Sequence, residues 1–303
     1  MLKLPPALRP GDLVAIAAPG SAFERAAFVR GAEFIASQGY SVAWRDDIFA
    51  RTGAFAGDDQ RRAAELNVWL RDPEVKAILF ARGGYGTSRI LARLDLGAVR
   101  RRPKVIAGFS DLTVLLLAVA QRAGLAVYHG PMVAAAGTGR AGERDMAQLL
   151  ALLEGNAGPR RHRGLQALRP GRVRAPVTGG NLSLLAHSIG TSFQVRTSGR
   201  ILVVEEIGEA PYRIDRMLRQ MMLAGVFRGV AGLVLGEFSG LKPGERRAVA
   251  GLFLEALGRR AVPVVSGLRA GHGTPNRAFP LGVPATLDAA AGTLVFEPCV
   301  QLP

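Results

Sequence analysis

The stretch V-I-A-G-F-S-D-L-T-V-L-L-L at residues 105–117 decides the fold prediction. Its first three residues are apolar and predict the end of a buried strand, and residues 111–120 predict the helix that follows. Gly108 is expected in the tight connection between them. Ser110 is therefore predicted to lie at a strand-to-helix turn, exposed above a sheet, with its hydroxyl oxygen near the positive end of a helix.

A serine at such a turn has two interpretations. It can be the nucleophile of a strand–turn–helix elbow, in which backbone N–H groups of the turn also bind an oxyanion. Alternatively, Ser110 or Asp111 caps the helix, as serine and aspartate commonly do. The turn G-F-S-D-L lacks the second glycine of the G-x-S-x-G elbow, so its spacing alone favours capping.

Four further motifs accompany this serine along the chain. They are G-D-L-V-A-I-A-A-P-G-S at residues 11–21, A-R-G-G-Y-G at 81–86, V-V-E-E-I-G-E-A-P-Y-R-I-D-R-M-L at 203–218 and S-G-L-R-A-G-H-G at 266–273. With the serine turn, they resemble the LD-carboxypeptidase family of serine peptidases, which includes muramoyltetrapeptide carboxypeptidases and microcin C immunity peptidases. The resemblance runs nearly end to end, with the motifs in the family's order.

The resemblance implies a catalytic triad. A serine hydroxyl needs a base, and the base needs an acceptor that fixes its tautomer. His272 lies in the glycine-flanked A-G-H-G turn and is the candidate base, although a turn histidine can also simply cap a backbone group. Adjacent strand residues point to opposite faces, so only one of Glu205 and Glu206 can face His272. Alignment on the family motif selects Glu205, while Glu206 replaces the usual Asp.

The resemblance also implies an oxyanion hole formed by the backbone amides of Gly84 and Asp111. The turn that holds Gly84 could suggest a phosphate cradle, but it is not the G-x-G-x-x-G fingerprint of dinucleotide sites. A carboxypeptidase must bind a free carboxylate, for which arginine is suited. Arg82 and Arg213 are the arginines nearest in sequence to the motifs.

Strands and helices alternate through the first half of the chain, which predicts an α/β protein with a doubly wound, mostly parallel sheet. Residues 82–86 and Ser110 both follow strand ends and are expected to face one crevice. The polar, Gly- and Pro-broken residues 154–176 predict a linker between a nucleophile-bearing α/β domain, 1–153, and a second domain, 177–303. The second domain is predicted to be mixed α/β with a β-rich end and to carry the acid and the base. A break after Ser110 argues against the α/β-hydrolase fold, which shares the order Ser, Glu, His.

Composition limits the compartment and the partners. The amino terminus has no long apolar stretch before its prolines, which argues against a signal peptide, and no later segment is apolar enough to span a bilayer. The single cysteine, Cys299, fits a reducing compartment, so the protein is predicted to be cytoplasmic without membrane contact. Neither a metal nor another cofactor is implied, because no His, Cys or carboxylate cluster has ligand spacing.

The formal charge of +15 raises a nucleic-acid hypothesis. The positive residues are scattered apart from 100–104 and 160–163, and no nucleic-acid motif accompanies them, so no nucleic-acid partner is predicted. A solvated basic face is the simplest interpretation of both clusters, although a positive field would favour capture of a polyanionic small substrate. The remaining histidines have simple interpretations: His162 as a surface residue, His187 as structural, and His129 as either pocket-lining or hydrogen-bonded structural.

The resemblance implies a serine LD-carboxypeptidase that releases terminal D-alanine from murein tetrapeptides during cell-wall recycling. The alternative is the microcin C immunity type, which cleaves aminoacyl-nucleotide amides and uses an aromatic loop near the domain junction. Residues 153–178 contain no Trp, Tyr or Phe, which favours the muropeptide substrate. A non-catalytic basic binding protein is the alternative from another class. Family resemblance implies a homodimer.

Overall fold

A computed structural model describes residues 2–156 and 158–302 and places their strands in two β-sheets. The first sheet contains β1 (Leu13–Ala17), β2 (Ser41–Ala43), β3 (Val75–Phe80), β4 (Val105–Gly108), β5 (Val127–His129) and β12 (Phe279–Leu281). Their order is β12-β5-β4-β3-β1-β2, and all neighbours are parallel except β12 and β5. Every residue of β4 is buried, as expected for a central parallel strand covered on both faces.

Helices alternate with these strands and cover the first sheet. They are α1 (Arg25–Ser37), α2 (Asp59–Arg71), α3 (Thr87–Ile90), α4 (Leu96–Arg101), α5 (Thr113–Ala118), α6 (Val133–Ala136) and α7 (Arg140–Leu153). The mostly parallel sheet with alternating helices confirms the predicted α/β fold class. No helix of the described chain is both long and apolar enough to cross a bilayer.

The second sheet has eight strands in the order β6-β14-β13-β8-β9-β10-β11-β7. They are β6 (Arg161–Arg163), β7 (Gln166–Arg169), β8 (Arg172–Asn181), β9 (Ile201–Ile207), β10 (Gly232–Ser239), β11 (Val264–Ser266), β13 (Pro284–Asp288) and β14 (Thr293–Phe296). The four strands from β8 to β11 are parallel neighbours, and the others pair antiparallel. The associated helices are α8 (Leu182–His187), α9 (Pro211–Leu223) and α10 (Pro243–Leu257).

The two sheets meet where β8 ends against α5. The backbone amide of Asn181 donates to the Thr113 hydroxyl over 3.1 Å. Gly180 has a φ of +139°, and a Cβ there would lie 2.6 Å from Thr113 Cγ2, so glycine is needed for this close approach. Since Asn181 pairs with Glu205 across β8 and β9, the contact places Glu205 beside the helix that follows Ser110.

Three segments differ from the sequence expectations. Residues 154–176, predicted as a linker, contribute β6, β7 and the first part of β8 to the second sheet. Strand β12 comes from the predicted second domain but pairs with β5 of the first sheet. Gly108, expected in the connection, is the last residue of β4, where a Cβ would lie 2.8 Å from Phe80. The division into domains at residues 153 and 177 stays a prediction.

Candidate active site

Ser110 occupies the turn between β4 and α5 in a strained conformation. Its φ is +61°, and no other non-glycine residue of the described chain has a positive φ. Such a conformation costs on the order of 1–3 kcal/mol and is concentrated at functional sites. A short 3₁₀ turn, Ser110–Leu112, leads into α5, and the Ser110 hydroxyl is not used as a helix cap. The hydroxyl instead lies 3.0 Å from Nε2 of His272.

His272 connects this serine to Glu205. Its Nδ1 lies 2.8 Å from Oε2 of Glu205, so one imidazole contacts both partners. Glu205 is at the end of β9 and only 1% exposed. Burial raises the pKa of its carboxyl group, while the hydrogen bond and the charge of His272 oppose that rise. The carboxylate is therefore placed to hold Nδ1–H, which leaves Nε2 free to accept a proton from the serine.

Glu206 points away from His272. Its carboxylate accepts hydrogen bonds from Asn181 Nδ2 at 3.0 Å, from the Ser183 amide at 2.7 Å and from the Ser183 hydroxyl at 2.6 Å. Glu206 is 3% exposed, so these donors satisfy a buried carboxylate. Geometry thus makes Glu205 the partner of His272 and gives Glu206 a structural contact set.

A glycine gives the His272 turn room beside Glu205. Gly271 has a φ of +117°, and a Cβ at this position would lie 2.5 Å from Oε2 of Glu205 and 2.8 Å from its Cβ. The Gly271 amide donates to Asn276 Oδ1 over 2.9 Å, and the Asn276 amide donates to Asp145 Oδ2 over 2.8 Å. The turn is therefore held by hydrogen bonds from within and from α7.

The glycine turn after β3 packs directly against Ser110. A Cβ on Gly83 would lie 3.2 Å from the Ser110 Cβ and 3.4 Å from the Asp111 amide nitrogen. Gly84 follows with a φ of +85°. Among the hydrogen bonds of residues 2–156 and 158–302, neither the Gly84 amide nor the Asp111 amide donates to a protein acceptor. Both candidate oxyanion donors are thus available to a ligand.

The sequence analysis did not predict a group of buried polar side chains that connects these turns. Arg62 of α2 is 0% exposed and donates to the carbonyl oxygens of Pro19 and, over 2.9 Å, Gly86. The Asp111 carboxylate accepts from the Thr87 amide over 2.8 Å. These contacts tie together the turns after β1, β3 and β4. The sequence signal that could have revealed these contacts is Arg62, an arginine on the apolar face of α2.

Glu65 belongs to the same group of buried polar side chains. Its carboxylate accepts from the Ala18 amide over 2.8 Å and pairs with Arg61 over 2.7 Å. Burial raises the pKa of Glu65 to about 7, and the Arg61 charge and the Ala18 amide only partly oppose that effect. Because the pKa is higher in the folded state than its ordinary value of 4.5, the contribution to stability is complete below pH 4.5 and is lost as the pH rises through about 7.

Replacement of Glu65 by glutamine is expected to remove this pH dependence. Between acidic and neutral pH, ionisation of Glu65 is expected to lower the free energy of unfolding of the parent protein by on the order of 3 kcal/mol. Urea unfolding at several pH values measures the free energy of unfolding of each variant. Glu33→Gln, which changes an exposed residue of α1, is the matched control. Parallel stability profiles for Glu65→Gln and the parent would contradict the expectation.

The other candidate residues lie around the site or away from it. Arg82 is exposed and donates to the Ala22 carbonyl over 3.1 Å. Arg213 on α9 contacts Glu209 at 3.6 Å and the Tyr212 hydroxyl at 3.1 Å. Neither guanidinium contacts Ser110 or His272 among the described residues, so a role in carboxylate binding stays a prediction.

Two histidines differ from their sequence interpretations. His129 is fully buried, with its ring stacked on Phe279 at 4.6 Å between centroids, and neither ring nitrogen has a partner in the described chain. It therefore neither lines the crevice surface nor makes structural hydrogen bonds. His162 is not a freely exposed surface residue, because it is half-buried and its Nε2 is fully covered. His187 is exposed in the last turn of α8.

Comparison with known proteins finds matches for the segment that carries the serine and for the segment that carries the glutamate and the histidine. The N-terminal domain model of LD-carboxypeptidase matches residues 14–130, and the C-terminal domain model matches residues 174–287. A probable murein peptide carboxypeptidase of Bacillus subtilis (strain 168) is 34% identical over 97% of this chain and 94% of its own length. Ser110 lies in the first match, and Glu205 and His272 lie in the second.

Solved structures share the fold. The muramoyltetrapeptide carboxypeptidase of Oxalobacter formigenes has a TM-score of 0.80 at 29% identity, covering 95% of this chain and 100% of that chain. The wild-type apo structure of the microcin C7 self-immunity protein MccF has a TM-score of 0.89 at 22% identity and covers 99% and 100%. At that identity, the second similarity shows the fold alone. Within the described residues, no group of three or more His, Cys, Asp or Glu side chains could hold a metal ion.

Proposed function

Since the chain belongs to the LD-carboxypeptidase family, we propose that it is a serine peptidase that releases the terminal D-alanine of murein tetrapeptides. The observation that carries the proposal is the hydrogen-bonded series from Ser110 through His272 to Glu205, with distances of 3.0 and 2.8 Å. The Bacillus subtilis relative and the Oxalobacter formigenes structure, both named for murein or muramoyl peptides, support the substrate class.

In the proposed reaction, the Ser110 hydroxyl attacks the carbonyl carbon of the bond between the third stem residue and D-alanine. His272 Nε2 accepts the hydroxyl proton, and the Gly84 and Asp111 amides hold the oxyanion of the tetrahedral intermediate. When the intermediate collapses, His272 returns the proton to the amine of D-alanine, which leaves. Water then attacks the acyl-enzyme with His272 as base, which releases the tripeptide and restores Ser110.

The substrate's free carboxylate requires a cationic partner. Arg82 is the better placed of the two predicted arginines, because it directly precedes Gly83, which packs against Ser110. Its planar guanidinium matches a carboxylate bidentately. We therefore assign carboxylate binding to Arg82 and keep Arg213 as the second candidate.

The defining experiment is incubation of the protein with L-Ala-γ-D-Glu-meso-diaminopimelyl-D-Ala, followed by mass spectrometry of released D-alanine. Release would support the proposal. No release, together with cleavage of an aminoacyl sulfamoyl nucleoside, would favour the microcin C immunity type instead. Salt-dependent DNA binding with no hydrolysis of either compound would favour a non-catalytic basic binding protein.

Replacement of Gly84 by alanine is expected to lower kcat by about 10²–10³-fold, the typical cost of losing one oxyanion donor. The new Cβ would lie 2.6 Å from the Cβ of Ser21, and the φ of +85° is unfavourable for alanine, so the turn must shift. Steady-state kinetics on the tetrapeptide measure the change. Gly251→Ala on α10 is the matched control, because a Cβ there meets open space. An unchanged kcat for Gly84→Ala would contradict the assignment.

A cytoplasmic location and a homodimeric state are also part of the proposal. The lone cysteine, Cys299, is buried as a free thiol, in keeping with a reducing compartment. Homodimerisation rests on the family resemblance. Sedimentation equilibrium of the purified protein gives the oligomeric state directly.

A further inference from the structure

A cavity that contains none of the catalytic candidates is lined by four arginines and no acidic residue. Its volume is about 410 Å³, and its lining includes none of Ser110, Glu205 and His272. The cationic side chains come from β6 and from the segment that carries His272. The four arginines are Arg161, Arg163, Arg269 and Arg277, and His162 lines the cavity beside them.

The four guanidinium groups have no anionic partner in the part of the chain that the structure describes. Among residues 2–156 and 158–302, ion pairs are made by arginines elsewhere, and none involves Arg161, Arg163, Arg269 or Arg277. Four like charges around one concavity repel one another, and an anion at their centre reverses that cost. All four side chains are exposed, and they border one concavity rather than a flat face.

His162 supplies an independent observation. Its ring packs edge-on against Phe296 at 5.8 Å between centroids, and its buried Nε2 has no hydrogen-bond partner in the described chain. Burial and the charge of Arg277 lower the pKa of His162 to about 4, so the ring is neutral without a ligand. His162 also lines the cavity, so an anion bound there would lower the electrostatic cost of protonating this ring.

The backbone that presents these groups is held in place. The Arg277 amide donates to the Arg269 carbonyl over 2.7 Å, which closes the base of the His272 turn. Gln148 of α7 accepts from the Ala278 amide over 2.8 Å. On the other side, β6 pairs with β14 through Arg161 and Arg163. The two halves of the cavity are therefore preorganised.

We propose that this cavity is a second ligand site that binds a small organic polyanion bearing two or more phosphate or carboxylate groups. Its volume exceeds that of a single inorganic anion and falls in the range of small-molecule sites, about 300–1,000 Å³. Leu165 and Leu268 give it an apolar wall for the carbon skeleton. The arginines provide charge-assisted, bidentate hydrogen bonds to the anionic groups.

Isothermal titration calorimetry with pyrophosphate and with citrate tests the proposal and distinguishes phosphate from carboxylate ligands. Ser110→Ala protein is used throughout, so that no turnover interferes. Arg163→Ala/Arg277→Ala is expected to weaken binding by at least about tenfold, because two charge-assisted contacts are lost. Arg100→Ala/Arg259→Ala removes the same charge from exposed arginines outside the cavity and is expected to leave binding unchanged.

A second measurement reports on the cavity itself. An anion bound in the cavity lies near the His162 ring and favours the imidazolium, so the NMR titration midpoint of His162 is expected to move to higher pH with either bound probe. Failure of both probes to bind, equal binding to the cavity variant, or an unmoved His162 titration would overturn the proposal. Displacement of the probe by saturating tetrapeptide would overturn it as well, because the cavity would then belong to the substrate crevice.

Discussion

Ser110→Ala is expected to lower kcat on the tetrapeptide by about 10⁶-fold while leaving the protein folded, because removal of a triad serine abolishes the covalent route. KM is expected to change little, since the hydroxyl contacts His272 and contributes little to ground-state binding. Single-turnover mass spectrometry measures the rate, and circular dichroism verifies the fold. A kcat within about tenfold of the parent would exclude Ser110 as the nucleophile.

Strain at Ser110 makes a separate stability comparison possible. Alanine at position 110 keeps the cost of a positive φ, whereas Ser110→Gly relieves it. The glycine variant is expected to be more stable than the alanine variant by about 1 kcal/mol, and both are expected to be inactive. Equal unfolding free energies for the two variants would show that the turn relaxes without Ser110.

The local pattern around Ser110 predicted the strand, the turn and the helix, because each has a periodicity that neighbouring residues reveal. The left-handed backbone of Ser110 has no local signal in the sequence, because the turn lacks the second glycine of the G-x-S-x-G elbow, and it is visible only in the structure. Spacing alone favoured helix capping, which the hydrogen bond to His272 replaces.

Contacts between segments that are distant in sequence could be found only from the structure. The pairing of β12 with β5 returns the chain to the first sheet after His272, and no local signal distinguishes β12 from the neighbouring short strands. Arg62 is a further case, because its burial is stabilised by carbonyl oxygens of turns distant in sequence. Such acceptors exist only once the turns have assembled.

Adjacent glutamates at the end of β9 provide the sharpest test of the triad. Glu205→Gln is expected to lower kcat by about 10⁴-fold, the size of effect seen when a triad carboxylate becomes an amide. The amide nitrogen would donate to Nδ1 of His272, which moves the ring proton to Nε2. The imidazole could then no longer accept the proton of Ser110, although the positions of the three side chains are unchanged.

Glu206→Gln is the matched control, because it makes the same chemical change one residue along the strand. Glu206 accepts from Asn181 and Ser183 and has no contact with His272, so its replacement is expected to cost stability, about 1–3 kcal/mol, rather than turnover. Steady-state kinetics and urea unfolding of both variants separate the two effects. A greater loss of kcat in Glu206→Gln than in Glu205→Gln would reverse the assignment. The opposite pattern is expected because only the Glu205 carboxylate reaches the imidazole, at 2.8 Å.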